Sequence, residues 1–454
     1  MDIHELTARQ HAYFLSGATR PAAFRLDALR KLRAAVLRYE PELNAALLTD
    51  LNKPASEAYF TETGIVLEEI RFHLRHLRGW MRDRTVRTPL AQFWSRSFVS
   101  PEPHGVTLIL SPWNYPVQLC LAPLVGAISA GNCAVVKPSA YAPATSRVLA
   151  RMLGETFPPE YVAVVEGGRE QNTALLDERF DFIFFTGSVT VGKLVMEKAA
   201  RHLTPVLLEL GGKSPVIVDE TADLRCAAKR VIFGKLLNAG KTCVAPDYVL
   251  VQAGVREAFL RACRAALDEF LPGGDLSDFP RIVNEKHFRR LCGLLQSGTA
   301  VTGGGYDEAR LQIQPTLLDG VGPEAPVMQE EIFGPILPVL PYDTLADCIG
   351  FIRARPKPLA LYLFTQSRET ERRVLESCSF GGGCINDTII HLATTQMGFG
   401  GAGESGMGSY HGKKSFEAFS HERSVVRKHV HPDLPMRYRP YTPGKDRVIR
   451  RVLG

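Results

Sequence analysis

Residues 106–136 read VTLILSPWNYPVQLCLAPLVGAISAGNCAVV. The run carries no formal charge, but prolines, glycines and asparagines interrupt it, whereas a membrane-spanning helix needs about 20 mainly apolar residues. Residues 106–110 and 133–136 have the length and composition of buried strands, and 117–129 is typical of a helix. The stretch therefore predicts a buried strand–helix–strand unit and not a membrane span.

The same alternation continues toward the C-terminus. Predicted helices cover 144–156, 170–176 and 191–202, and predicted strands cover 161–165, 181–185 and 205–210. After Gly211-Gly212 a second series begins, with strands predicted near 216–218, 248–251, 300–302, 314–318, 336–340 and 359–364. Apolar strands that alternate with helices predict parallel sheets covered on both faces, with a ligand at the carboxyl ends of the strands. We therefore expect an α/β protein with a Rossmann-like domain and a second α/β domain.

The flanking segments have a different character. Residues 1 to about 80 carry apolar residues at three- and four-residue steps, which predicts helices, with a break before Pro41. Residues 84–103 mix aromatic residues with Pro, Ser and Arg and predict a hairpin or arm, and the tail from about 422 is basic. The predicted division is a first domain of 1–83 and 104–210, a second domain of 211–421, and an arm and tail of 84–103 and 422–454.

Composition limits the classes of function. The 454 residues include 54 Lys and Arg against 48 Asp and Glu, and a net charge of +6 is too small at this length to imply a nucleic-acid partner. Nine cysteines are widely spaced with no CxxC pair, which argues against a disulfide framework or a metal site and favours a reducing, cytoplasmic compartment. We expect no signal peptide and no membrane anchor. The arginine-rich stretch 71–87 is either a solvated or subunit-facing helix side or a surface for an anionic partner.

Cys243 stands in a tight polar turn, GKTCVAPDY, between a helix predicted over 222–238 and the strand near 248–251. Gly240 gives the backbone more conformational freedom just before Cys243. A thiol attacks only as thiolate, and positive charge nearby, such as Lys241, lowers its pKa. Taken alone, Cys243 is equally an ordinary thiol, so the other motifs decide.

Three motifs lie at predicted strand ends. FTGSVTVGK (185–193) opens a helix whose backbone N–H groups can hold phosphate, although Leu194 stands where a P-loop needs Ser or Thr. Asn114, in SPWNYP, is either a turn residue or a donor to a developing oxyanion. Glu209, in LELGGK, is a carboxylate whose pKa burial would raise into the range of a general base. Lys137 in KPS and Glu331 in EEIFGP are weak signals by themselves.

Together these stretches resemble the aldehyde dehydrogenase superfamily, and within it the class 3-like branch. The matching motifs are PWNYP (112–116), KPS (137–139), FTGSVTVGK (185–193), LELGGKSP (208–215), TCVAPDYV (242–249), EEIFGP (330–335) and GFGGAGESGMGSYHGKKSFEAFSH (398–421). The resemblance implies a cofactor domain, a catalytic domain and a bridging arm that map onto the division above.

The resemblance also implies the chemistry. Cys243 would attack an aldehyde carbon to give a thiohemiacetal, the Asn114 amide and the Cys243 N–H would form the oxyanion hole, and Glu209 would activate water against the thioester. The cofactor would be NAD or NADP, and no metal is implied. The residues implied for the cofactor site are Pro112, Trp113, Lys137, Ser139, Gly187, Ser188, Gly192, Glu331 and Phe333.

The chain departs from the family pattern at three positions. Ala140 replaces a glutamate that repels the 2′-phosphate of NADP, so NADP becomes acceptable beside NAD. Lys241 replaces glutamine and is expected to change thiol pKa or loop packing only modestly. Glu404 replaces asparagine, and nothing in the sequence explains that change.

The branch implies a homodimer and medium- to long-chain aliphatic or aromatic aldehydes as substrates, with no nucleic-acid partner. The candidate tunnel residues, for which ordinary core packing is an equal alternative, are Tyr59, Phe60, Tyr115, Ile389 and His391. Two other hypotheses stay open. One is an enzyme that passes the thioester to coenzyme A, which Glu209 argues against. The other is a catalytically silent relative with a binding or structural role.

Overall fold

The computed structural model describes residues 2–453. It begins with four helices, α1 Ile3–Leu15, α2 Ala22–Leu51, α3 Ala55–Ala58 and α4 Gly64–Trp80, with a π-helical turn over Tyr59–Thr63. The predicted break before Pro41 is wrong, because α2 runs through this proline. The buried residues Val36, Leu43 and Leu47 form one apolar face across it, which outweighs the single backbone hydrogen bond that proline removes.

The next segment is the predicted hairpin, formed by β1 Arg84–Val86 and β2 Ser95–Pro103. The two strands are antiparallel, with Thr85 opposite Phe98.

The first α/β series follows the predicted order, with ends shifted by at most two residues. Its elements are β3 Val106–Leu110, α5 Gln118–Ala130, β4 Cys133–Lys137, α6 Pro143–Thr156, β5 Val162–Val164, α7 Arg169–Asp177, β6 Phe182–Gly187, α8 Val189–Ala200 and β7 Val206–Leu210. Strands β3 and β4 are buried along their whole length, which is why their sequences are continuously apolar.

The second series contains short strands that the apolar pattern did not predict. Its elements are β8 Pro215–Val218, α9 Leu224–Leu236, β9 Tyr248–Gln252, α10 Arg256–Phe270, α11 Glu285–Leu294, β10 Thr299–Thr302, β11 Tyr306–Asp307, β12 Gln312–Ile313, β13 Thr316–Asp319, α12 Pro326–Gln329, β14 Ile336–Tyr342, α13 Leu345–Arg353, β15 Ala360–Phe364, α14 Arg368–Ser377 and β16 Gly382–Ile385. The strand β16 escaped prediction because its sequence, GGCI, has little β propensity of its own.

The end of the chain returns to the first sheet and to the hairpin. Its elements are β17 Gly406–Met407, α15 Lys413–Ala418, β18 Ser420–Lys428 and α16 Pro443–Leu453. β17 pairs antiparallel with β7, and β18 pairs antiparallel with β2 along nine residues. The predicted division assigned 211–421 to one domain, and it stays a prediction.

Two large sheets confirm the α/β class. The first has the strand order β17-β7-β6-β3-β4-β5, and the second has the order β10-β13-β14-β9-β8-β15-β16. In the first sheet the chain moves from β3 to β4 and β5 and then returns to β6 on the other side of β3. The carboxyl ends of β3 and β6 therefore flank a topological switch point, where open α/β sheets bind ligands.

The C-terminus of α5 gives a test of the packing between α2 and the first sheet. Gly131 has φ +93°, and an added Cβ would lie 2.5 Å from the Arg25 guanidinium carbon. That guanidinium is held in place, since it donates to the carbonyls of Thr19 and Ser129 at 2.9 and 3.1 Å. We expect Gly131→Ala to destabilise the protein by about 1–3 kcal/mol and to lower its melting temperature in calorimetry.

Gly154→Ala is the matched control. Gly154 lies inside α6, and its added Cβ would meet no atom within 4 Å. Its melting temperature should stay level or rise, because alanine favours a helix by up to about 1 kcal/mol. Equal losses in both variants would contradict the argument.

Candidate active site

The turn before Cys243 has an unusual backbone. After α9, residues Asn238, Ala239 and Gly240 have φ of 50°, 52° and 71°. At Gly240 an added Cβ would lie 2.3 Å from the carbonyl oxygen of Gly334, so only glycine fits. Non-glycine residues in this left-handed region cost energy and persist only when their surroundings hold them.

Hydrogen bonds to Asn238 hold this turn. Its backbone N–H donates to Glu57 Oε1 at 2.8 Å, and its side-chain amide donates to the carbonyl of Asn114 at 2.7 Å. The Lys241 ammonium donates to the Asn238 carbonyl at 2.7 Å. The strained turn is therefore tied both to the N-terminal helices and to the loop after β3.

Asn114 is buried and faces the same turn. Its Nδ2 donates one hydrogen to the carbonyl of Lys241 at 2.9 Å, which leaves the second hydrogen of the amide available. The backbone N–H groups of Cys243 and Val244 lie against the sulfur, where they favour the thiolate. An amide from one sheet and backbone donors from the other thus meet beside one thiol, an arrangement suited to a developing negative oxygen.

A buried ion pair positions Asn114. Lys53 and Glu62 have fully buried side chains, with 2.6 Å between Nζ and Oε1. Glu62 Oε2 also accepts the N–H groups of Val117 and Gln118, at 2.8 and 3.1 Å, where α5 begins. The Lys53 ammonium donates to the Asn114 carbonyl at 3.3 Å. The sequence did not identify Lys53 or Glu62, because a single charged residue gives no sign that its side chain is buried.

The environment of Cys243 disfavours its thiolate. Burial raises the pKa of Cys243, and the nearby carboxylates of Glu331 and Glu209 raise it further. Of the two modest effects expected of Lys241, on the thiol pKa and on loop packing, the contacts of its side chain support the second. Lys241 is fully buried, its ammonium is directed to Asn238, and burial lowers its own pKa well below the ordinary value. Lys241 therefore acts on loop packing.

Glu209, at the end of β7, is 3% exposed, and its two carboxyl oxygens have no hydrogen-bond partner within the described chain. Burial raises the pKa of this carboxyl well above its ordinary value, as the sequence predicts. The same carboxylate raises the pKa of Cys243, so the two groups are close enough to interact. A buried acid with free oxygens and a raised pKa is suited to accept a proton near neutral pH.

The residues around the switch point fit a dinucleotide. Ser188 caps α8 by accepting the N–H of Val191, and the hydroxyl of Thr186 has no partner in the described chain. Gly192 is needed for close packing, because an added Cβ would lie 2.6 Å from Leu210 Cδ2. The same holds at Gly187, whose Cβ would lie 2.5 Å from the Phe185 ring. The helix start, its glycines and the free hydroxyl form a cradle for a pyrophosphate and its sugars.

Glu331 approaches this cradle from the second sheet. Its Oε1 has no partner within residues 2–453, and an added Cβ at Gly211 would lie 2.0 Å from its Oε2. Burial raises the pKa of Glu331 to about 8. A free carboxylate oxygen beside a glycine is suited to accept ribose hydroxyls.

The other cofactor candidates lie nearby but are engaged in local contacts. Lys137 donates to the carbonyls of Gly167 and Pro138 at 2.7 and 2.8 Å, and the Ser139 hydroxyl accepts the N–H of Tyr141. Trp113, after Pro112, packs edge-on against Phe333 with ring centres 5.4 Å apart. The exposed residue Ala140 places no carboxylate here.

Cys243 lines an apolar cavity of about 130 Å³. Three of the five candidate tunnel residues, Phe60, Tyr115 and Ile389, line it. Tyr59 lines a neighbouring groove, so its prediction needs correction. His391 also lies outside the lining, because its ring packs against Tyr362 and Phe399 instead. Among the described residues, no Lys, Arg, Asp or Glu lines this cavity.

Residues 2–453 hold no group of three or more His, Cys, Asp or Glu side chains that could bind a metal ion. No helix among them is long and apolar enough to cross a membrane.

The chain is similar to known aldehyde dehydrogenases. The model of the aldehyde dehydrogenase family matches residues 1–425. The chain is 48% identical over 444 residues to the 4,4'-diaponeurosporen-aldehyde dehydrogenase of Staphylococcus aureus, covering 97% of this chain and 96% of that protein. It is 45% identical to human aldehyde dehydrogenase family 3 member B1, with coverages of 96% and 94%.

Solved structures agree with the fold. The substrate-bound state of Staphylococcus aureus AldH superposes with a TM-score of 0.97 at 46% identity, covering 100% of this chain and 99% of that one. A mutant of the indole-3-acetaldehyde dehydrogenase AldA of P. syringae, in complex with NAD⁺ and IAA, superposes with a TM-score of 0.86 at 26% identity, with coverages of 94% and 89%.

The buried pair Lys53–Glu62 leads to a test. Lys53→Met leaves a buried carboxylate without its cation, and we expect a loss of about 3–5 kcal/mol in stability. The double variant Lys53→Met/Glu62→Gln removes both charges and should recover much of that loss. If the pair also positions Asn114, kcat of the double variant stays well below wild type although its melting temperature is largely restored. Full recovery of kcat together with stability would contradict the positioning role.

Glu331→Gln tests whether the partly unpaired carboxylate of Glu331 destabilises the folded protein. The pKa of Glu331 is raised in the folded protein from 4.5 to about 8, so folding favours its protonated form. Its contribution to stability is present below pH 4.5 and is lost as the pH rises toward 8. We expect the melting temperature of cofactor-free Glu331→Gln to exceed that of wild type by a margin that grows from pH 5 to pH 8, while its NAD binding weakens in calorimetry. Glu330→Gln, at the exposed neighbour, is the control and should show neither change.

Proposed function

The chain belongs to the aldehyde dehydrogenase family, and from that premise we propose that Cys243, Asn114 and Glu209 carry out its NAD(P)-dependent oxidation of an aldehyde to a carboxylic acid. The observation that supports these three residues is their convergence. A thiol that lines an apolar cavity, a free amide hydrogen beside the same turn, and a carboxyl close enough to raise the pKa of the thiol come from three separate chain segments.

The proposed reaction begins when the Cys243 thiolate attacks the aldehyde carbon. The substrate oxygen gains negative charge and accepts hydrogens from the Asn114 amide and the Cys243 N–H, giving a thiohemiacetal. NAD or NADP, when bound, supplies the hydride acceptor that brings the substrate to the oxidation level of a thioester. Gly187, Ser188, Gly192 and Glu331 would hold that cofactor.

Hydrolysis completes the cycle. Glu209 takes a proton from water, the resulting hydroxide attacks the thioester, and the acid leaves while Cys243 recovers its proton. A water-activating carboxyl beside the sulfur argues against transfer to coenzyme A, since water would compete with the thiol of that acceptor.

The lining of the cavity supports a lipophilic substrate. Burying a charged group without a partner is costly, and the lining offers apolar and aromatic side chains. A relative of 48% identity is named a 4,4'-diaponeurosporen-aldehyde dehydrogenase. We therefore propose medium- to long-chain aliphatic or aromatic aldehydes as substrates.

Three further proposals concern cofactor choice, assembly and location. The exposed methyl group of Ala140 leaves room for a 2′-phosphate, which supports the use of NADP beside NAD.

The hairpin sheet β1-β2-β18 supports a homodimer joined through this arm, as in the branch that the chain resembles. The nine cysteines, all free, support a cytoplasmic location.

Reduction of NAD and NADP, followed at the nicotinamide absorbance without coenzyme A, tests this mechanism. We expect no turnover from Cys243→Ala, and kcat lowered about 10²–10³-fold in Asn114→Ala. Glu209→Gln should slow both the first turnover of reduced cofactor and the steady state, because the amide can neither hold the proton of Cys243 nor activate water against the thioester. For wild type, kcat/KM should rise about three- to fourfold per methylene along a series of alkanals, until the cavity is filled.

An ω-carboxy aldehyde of equal length is the control substrate and should react poorly. Turnover that appears only after coenzyme A is added would favour the acylating enzyme. No turnover under either condition would favour the silent relative.

A further inference from the structure

Strand β17 places the residues that follow it beside Glu209. Gly406 of β17 is the antiparallel partner of Glu209 at the end of β7. Two residues further on, the chain still lies against β7, because a Cβ added at Gly408 would be 2.7 Å from Leu207 Cγ. Tyr410 therefore enters the site from the neighbourhood of Glu209, although the two residues lie far apart in the sequence.

The ring of Tyr410 lies on the face of the first sheet that carries Glu209. Side chains alternate between the two faces of a strand, so Leu207 and Glu209 share one face of β7. Phe184 is the parallel partner of Leu207 on β6, and its side chain points to this same face. The rings of Tyr410 and Phe184 pack edge to face with their centres 5.0 Å apart. Tyr410 thus covers the face from which the Glu209 carboxyl projects.

The hydroxyl of Tyr410 approaches both reacting groups. Tyr410 is 1% exposed and lines the cavity together with Cys243. Burial raises the pKa of Tyr410, and Glu209 and Cys243 raise it further, so both groups lie close to the phenol oxygen. The side chain of Gln118 lies beside the same oxygen and acts on this pKa in the opposite direction. A phenol hydroxyl in this place offers one donor and two acceptor lone pairs.

The surroundings of Tyr410 hold it in one position. Its backbone exchanges two hydrogen bonds with Phe399, at 2.8 and 2.9 Å, and its ring stacks on His411 with centres 4.1 Å apart. Nδ1 of His411 lies 3.6 Å from Oε2 of the buried Glu69, whose Oε1 accepts the N–H of Gly412 at 2.7 Å. A side chain fixed in this way presents its hydroxyl at one point, which is what orienting a small reactant requires.

The other hydroxyl groups in the lining of the cavity are engaged elsewhere. Those of Tyr115 and Thr242 form a hydrogen bond with each other, and that of Thr61 donates to the carbonyl of Glu57 at 2.7 Å. Tyr410 is therefore the hydroxyl of the lining that is placed to act beside Glu209.

We propose that the Tyr410 hydroxyl holds the water that hydrolyses the thioester on Cys243. The water accepts the phenol hydrogen and donates one of its own to the Glu209 carboxylate, which leaves a lone pair directed at the thioester carbon. The new C–O bond forms as that proton passes to Glu209, and the C–S bond then breaks with its electron pair on the sulfur. Glu209 returns the proton to the sulfur, and Tyr410 keeps its own proton throughout. This inference rests on the proposed function and adds a residue to its hydrolytic step.

Tyr410→Phe tests the inference, because it removes the hydroxyl and keeps the packed ring. Reduction of NAD by saturating hexanal is followed in stopped flow. We expect a first turnover at the wild-type rate and then a steady state slowed about 10–100-fold, since a water that is not oriented attacks slowly. The acyl group should remain on Cys243 and add its mass to the intact protein quenched during the steady state. If Tyr410 were only a wall of the cavity, both phases would match wild type.

Tyr161→Phe is the matched control. Tyr161 is also fully buried, it packs edge to face against Phe24 and Phe157, and its hydroxyl has no partner in the described chain. Both phases of its reaction should match wild type.

The two phases separate the possible outcomes. A steady state at the wild-type rate in Tyr410→Phe would overturn this inference and leave the proposed function standing. A first turnover slowed as much as the steady state, the pattern expected of Glu209→Gln, would also overturn it, because Tyr410 would then act before the thioester forms. A wild type that oxidises no aldehyde would refute the proposed function, and this inference with it.

Discussion

The site depends on the buried ion pair between Lys53 and Glu62. A pair of charges removed from water costs free energy unless each charge has further partners. Here each has them, because Glu62 accepts two backbone N–H groups of α5 and Lys53 donates to the Asn114 carbonyl. The pair therefore fixes the loop after β3 relative to the N-terminal helices. Through Asn114 and Asn238 it also reaches the strained turn that carries Cys243.

Around this fixed frame, several groups are held in unfavourable surroundings. Glu209, Glu331 and Lys235 each have buried polar atoms without partners in the described chain, and the pKa of each is shifted toward its neutral form. A fold selected only for stability would pair or remove such groups. Their concentration where the two sheets face each other distinguishes a site built to bind and react from an ordinary core.

The sequence predicted most of the sheets because buried parallel strands are continuously apolar, as in β3 and β4. It failed where tertiary contacts override local signals. Pro41 remains helical because both sides of it share one buried face, and β16 forms from GGCI because β15 provides its hydrogen bonds. At the site, motifs identified the reactive residues, and burial predicted the raised pKa of Glu209. The sequence left open whether Lys241 acts on the thiol pKa or on loop packing, because the direction of its side chain depends on a turn whose φ angles only the fold determines. Lys53 and Glu62 were missed for the same reason.

The proposed chemistry depends on a difference between two neighbouring acids, Cys243 and Glu209, in how their surroundings stabilise the anion. Burial disfavours the anion of both Cys243 and Glu209, and the carboxylate of Glu209 makes the thiolate still less favourable. Both groups therefore favour their protonated forms, and a proton that leaves the sulfur can be held by the carboxyl. Two backbone N–H groups favour the sulfur anion, whereas the carboxyl of Glu209 has no partner in the described chain to favour its own. The absence of hydrogen bonds at Glu209 thus has a use in the proposed mechanism, since it lets this carboxyl hold a proton while the sulfur attacks. Once the sulfur is acylated it no longer competes for that proton, and the same carboxyl, after losing it, is free to take one from water.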